Sequence, residues 1–158
     1  MSVHTLTCRQ VVPGDMETVF RFFEDPKNLE RITPPWLHFE VESSTDERVR
    51  SGTVIVYSLR WHLIPIRWQS RISEYEEGVL FADEMLSGPY KSWYHRHGFT
   101  ALEGEVEVVD HVEYALPLGQ LGTLVHSAVV RRQLDSIFEY RRKAIARIFS
   151  HSLQEAEV

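Results

Sequence analysis

The chain has 158 residues, one cysteine and a formal net charge of −6, which suits a single domain spanning 1–158 with its own core. The acidic balance argues against a general nucleic-acid binder, which needs a basic face. The lone thiol, Cys8, rules out an internal disulfide and a thiolate metal cluster made by this chain alone.

In chain order, "HTLTCRQVV" (4–12) alternates and carries Thr and Val, the pattern of a strand. Asp15 is placed to cap a helix in which Met16, Val19, Phe20 and Phe23 recur at helical spacing. Asp25 is placed to cap a second short helix with Pro26 at its first position, ending near Ile32. "TPPW" (33–36) reads as a loop, because adjacent prolines oppose helix. From Trp36 to Leu116 the period becomes two. Six strands are expected there: 37–43, 52–63 and four more in "IRWQSRISEYEE", "VLFADEML", "YKSWYHRHGFTAL" and "EVEVVDHVEYAL". Short turns join them, so they form an antiparallel meander. "LPLGQLG" (116–122) breaks the pattern, as a pliable apolar loop or a plain turn. From Thr123 onward one helix of about 25 to 28 residues is expected, with Leu134, Phe138, Ile145, Ile148 and Phe149 as its apolar stripe.

Period two also sorts the side chains by face. Trp93, His95, His97 and Phe99 share a face, as do Phe81, Asp83 and Met85, and Val108, Asp110, Val112 and Tyr114. Ile55, Tyr57, Leu59 and Trp61 share another, beside Trp68, Ser70 and Ile72. Histidines two apart on a strand project the same way, roughly 6.5–7 Å apart. Such a pair suits a metal with a third, carboxylate ligand from Asp83 or Asp110. It equally suits acid–base work, or a polar network with those acids. Arg141 falls inside the apolar stripe of the last helix, so it must meet an acid or a ligand anion. Tryptophans 36, 61, 68 and 93, with Tyr57, Phe99 and Tyr114, are more aromatic surface than a small core needs, and point to a pocket wall. No phosphate-cradling glycine loop and no Gly-x-Ser-x-Gly elbow occurs.

The element order and the phrases "FFEDPKNLERITPPWLHFEV", "DEMLSGPYKSWYHRHGF" and "DHVEYALPLGQLGTL" resemble the START-like superfamily. Its members include birch-pollen-allergen-like proteins and the polyketide cyclase/dehydrase and lipid-transport proteins. The phrases look like those of a bacterial ligand-binding subgroup. The resemblance spans nearly the whole chain. It implies an α+β helix-grip fold: a seven-stranded curved antiparallel sheet wrapped around a long C-terminal helix, with two short helices after the first strand. It further implies a cavity between sheet and helix for a hydrophobic or aromatic small molecule, such as a polyketide, quinone, isoprenoid or lipid. The expected binding residues are Trp36, Tyr57, Trp61, Trp68, Asp83, Met85, Trp93, His95, His97, Phe99, Asp110, Tyr114 and Arg141. His95, His97 and Asp110 are also the catalytic candidates if the pocket is a cyclase or dehydratase site. A third reading is an interaction module whose cavity is filled by its own tryptophans. No organic cofactor, metal or nucleic-acid partner is assigned. No signal peptide or membrane span is apparent, so a cytoplasmic monomer or homodimer is expected.

Overall fold

The computed structural model describes residues 2–156, and for 120–126, 153 and 156 the backbone alone. The order is β1 (His4–Pro13), α1 (Met16–Glu24), α2 (Leu29–Ile32), β2 (Glu40–Ser44), β3 (Val54–Trp61), β4 (Ile64–Glu76), β5 (Leu80–Ser87), β6 (Ser92–Leu102), β7 (Glu105–Ala115) and α3 (Gly119–Ala156). The seven strands form one antiparallel sheet in the order β1-β7-β6-β5-β4-β3-β2. The first strand pairs with the last, from His4 opposite Tyr114 to Pro13 opposite Glu105. The two short helices carry the chain across to the far edge, where β2 begins the meander.

Local chemistry sets the boundaries. Asp15 Oδ1 accepts from the Thr18 N–H at 2.8 Å and caps α1. Asp25 Oδ1 accepts from the Lys27 N–H at 3.0 Å, opening a single 3-10 turn, Pro26–Asn28, that leads into α2. The segment 33–36 is not all loop. Pro35–Leu37 winds a second 3-10 turn, which a proline at its first position does not disturb, and His38 ends it in the left-handed region at φ 47°. β2 therefore starts at Glu40 rather than at Leu37. Glu30 of α2 accepts from the Val41 N–H at 2.8 Å and ties that edge to the helices. Register shifts between Gln69 and Ser70 and between Ile72 and Glu74 bend β4 against β5, which helps curl the sheet.

α3 runs 38 residues, longer than expected. It starts inside "LPLGQLG": Leu118 and Gly119, at φ 78° and 57°, turn the chain into it. Gly122 then lies within the helix, where a glycine costs about 1 kcal/mol without forbidding it.

Two clusters make the core. At one end Phe20 and Phe23 of α1 meet Phe81 of β5, Phe99 of β6 and Phe149 of α3. The Phe20 and Phe99 rings stand edge to face, with centroids 4.9 Å apart. At the other end Leu6, Val112 and Tyr114 pack against Leu134 and Phe138 of α3. No helix among the described residues is long and apolar enough to cross a membrane.

Candidate functional site

Between the sheet and α3 lies a cavity of about 360 Å³. That exceeds the roughly 300 Å³ at which ligand sites begin. The tryptophans therefore do not fill the space between sheet and helix, as the interaction-module reading required. Tyr57, Leu59 and Trp61 of β3, Trp68 of β4, Trp93 of β6 and Ile137 of α3 supply apolar wall. The polar lining includes Ser70, Asp83, His95, His97 and Arg141, which cluster together, as well as Thr33 and Gln133.

With Tyr57, Trp68 and Asp110, the clustered polar groups are wired together across five strands and the helix. Trp68 Nε1–H donates to Ser70 Oγ at 3.0 Å. Ser70 Oγ in turn lies 3.4 Å from Asp83 Oδ1 and 3.4 Å from the Tyr57 hydroxyl. His97 Nε2 reaches Asp83 Oδ2 at 3.2 Å. His95 Nε2 reaches Asp110 Oδ1 at 2.8 Å. Arg141 donates from Nε to Asp110 Oδ2 and from its terminal nitrogen to Oδ1, both at 3.3 Å. Its guanidinium also lies 5.7 Å from the Phe23 ring centroid, so an aromatic face covers it. The two histidine rings stack 3.8 Å apart, and His97 stacks on Phe81 at 4.4 Å. His97 Nδ1 comes within 3.2 Å of Asp110 Oδ1 yet lies off line for a hydrogen bond, and remains a buried nitrogen without one.

Proton affinities follow from this wiring. Burial alone would raise the Asp110 carboxyl, but Arg141 and then the two histidines overcome it and hold it well below the usual range. Asp110 is thus an anion, and His95 must donate to it through Nε2–H. Burial, with His97 beside it, pushes His95 down, so its imidazole is neutral near pH 7. Burial also opposes charge on His97, but the Asp110 carboxylate close beside it and the hydrogen bond to Asp83 outweigh it and push His97 up.

Eight of the thirteen residues singled out from the sequence line the cavity: Tyr57, Trp61, Trp68, Asp83, Trp93, His95, His97 and Arg141. Five do not. Trp36 sits in the second 3-10 turn, 52% exposed, edge-on to Tyr140. Met85 packs beneath Gly88, where a Cβ would meet its Sδ at 2.6 Å, so a larger residue there would require the Met85 side chain to shift. Phe99 is taken up by Phe20 and Phe23. Tyr114 is buried in the cluster under α3. Asp110 stands behind the histidines, away from the open volume. Ser70 was legible as inward-facing, between Trp68 and Ile72, but its part in joining Trp68 to Asp83 depends on the register of β4 against β5.

No protein-family profile matches the sequence, and no curated protein matches it. Solved structures do match the fold. The Streptomyces aromatase/cyclase Zhui superposes at TM-score 0.70 over 96% of this chain and 96% of its own, with 14% identity. A Thermus thermophilus protein gives 0.69 over 94% and 99%, with 19% identity. Major latex-like protein 151 of Panax ginseng gives 0.64 over 93% and 97%, with 12% identity. The fold is therefore a helix-grip fold, shared with the cyclase and the latex-like protein.

Proposed function

We propose that the protein binds one compact apolar or aromatic molecule between the sheet and α3, with an oxygen-bearing group turned toward Ser70, Asp83, His95 and His97. The supporting observation is a 360 Å³ cavity with an aromatic wall and one clustered polar patch. That volume lies near the lower end of the roughly 300–1,000 Å³ range of ligand sites, which suits a small occupant. That favours a ring system or short isoprenoid over a diacyl lipid. Extraction of freshly purified protein followed by mass spectrometry identifies the occupant. Competition with an apolar fluorescent probe then tests the location. Ile137→Trp, which puts an indole into the cavity, is expected to weaken probe binding at least about tenfold, because the volume it needs is gone, without lowering the melting temperature. Unchanged affinity in a folded Ile137→Trp protein sinks this reading.

A cyclase or dehydratase in the same cavity is the second reading. Its support is the contrast between the stacked histidines. A neutral His95, oriented by Asp110, is suited to take a proton, and His97, pushed up, is suited to give one. His95→Ala and His97→Ala discriminate the readings. An enzyme loses turnover while keeping affinity. A carrier loses affinity, and no turnover is found with either protein.

A further inference from the structure

The geometry points to a divalent transition-metal site in the cavity wall, made by Asp83, His95 and His97. Each offers a ligand atom, and the three atoms lie within 4.8 Å of one another among the described residues. Two ligands at about 2.1 Å from one ion stand about 3.0–3.4 Å apart at right-angled to tetrahedral geometry. The 3.2 Å between His97 Nε2 and Asp83 Oδ2 is such an edge. An ion there takes the place of the proton that the pair now shares. His95 is held by Asp110 through Nε2, and its Nδ1 carries no hydrogen bond among the described residues.

Asp110 supplies what a metal-bound histidine ordinarily has behind it, a carboxylate that fixes ring and tautomer. Its Oδ1 faces a nitrogen of each histidine, at 2.8 Å and 3.2 Å, and it takes no part in the cavity lining. Charge agrees with this arrangement. Arg141 pairs with Asp110, and Asp83 makes no ion pair with that guanidinium among the described residues, so the Asp83 carboxylate is available to a cation. Two nitrogens and one oxygen suit Zn²⁺, Co²⁺ or Fe²⁺ better than Mg²⁺ or Ca²⁺. Three protein ligands leave coordination positions open toward the cavity, the arrangement of catalytic rather than structural sites. A carbonyl or phenolate oxygen of the cavity's occupant would complete the shell. The ion would take the histidine nitrogens away from acid–base work and offer Lewis acidity instead.

The test uses the whole chain, stripped with a chelator, re-equilibrated with Zn²⁺ or Co²⁺ alone and passed through a desalting column. One ion retained per chain is expected, with the visible ligand-field absorption of nitrogen-bound Co²⁺. Asp83→Asn and His97→Gln should each abolish retention. Asp110→Asn should weaken it by about 10- to 100-fold. His111→Gln, at the exposed Thr7–His111–Glu113 cluster, should change nothing. The proposal fails if no ion is retained, if Asp83→Asn retains it fully, or if His111→Gln abolishes it. Should His97→Gln not fold, Asp83→Asn decides alone. The apolar probe of the cavity is read in metal-free protein, so either reading can fail without the other.

Discussion

Asp110 receives His95 on one oxygen and Arg141 on both, and no water-facing side chain could serve there. Removing the guanidinium strands a buried carboxylate, which typically costs about 3–5 kcal/mol. Arg141→Leu should therefore shift the urea midpoint sharply downward, and adding Asp110→Asn should recover much of the loss. If the double variant is no more stable than the single, the pair is not the cause. Elsewhere, buried Thr53 donates to Asp46 at 2.7 Å, and that hydrogen bond holds the Asp46 carboxyl below its ordinary value. A depressed carboxylate stabilises above its unfolded pKa of about 3.9 and loses that contribution as pH falls through its folded value. The melting-temperature gap between wild type and Thr53→Val should thus be wider at pH 7 than below pH 4; a gap that does not change with pH would remove Asp46 from the account. Arg141 was legible from the sequence because helical spacing alone sets it among Leu134, Phe138 and Ile145. Phe99 was not fully legible. Strand parity gave its face, but Phe20 and Phe23 of a distant helix decided that it packs rather than lines.

The strands were legible because period two persists over eighty residues, and their order follows from short turns. Their ends were less so. A 3-10 turn at Pro35–Leu37 has no hydrophobic period, and it displaced the start of β2. The start of α3 was hidden for a related reason, since glycines mark a turn more often than a first helical turn. α1 shows how an element is held by what it meets. Phe20 is buried against Tyr75, Phe81 and Phe99 and does not line the cavity. Phe20→Ala is expected to cost about 3–5 kcal/mol in chemical denaturation, with probe affinity nearly unchanged in the protein that remains folded. A large loss of affinity would mean that α1 shapes the cavity as well as closing its end. Trp36→Ala serves as the contrast on the neighbouring turn. Its exposed indole rests on Tyr140, so neither stability nor affinity should move by much.

For the whole molecule, the layer architecture follows from one amphipathic helix facing a one-sided sheet. Which inward residues border empty space is a different kind of fact. It depends on how far α3 stands from each strand, a distance no single segment encodes. Volume sets the expected selectivity: in probe displacement, fused-ring aromatics should compete and diacyl phospholipids should not. Strong competition by the latter would require a cavity larger than 360 Å³. The Arg141–Asp110 pair has one more consequence. An apolar stripe by itself would let a helix creep along a sheet in small steps, each nearly free. A guanidinium bonded through two nitrogens to the buried Asp110 carboxylate turns that creep into an all-or-none jump, so α3 should act as a fixed ceiling. Exchange of the occupant is then expected to depend on the loops that border the cavity, among them the β3–β4 turn just beyond the lining residue Trp61, where Leu63 is 93% exposed. Exchange rates should therefore respond to changes in that hairpin tip far more than to changes along the helix.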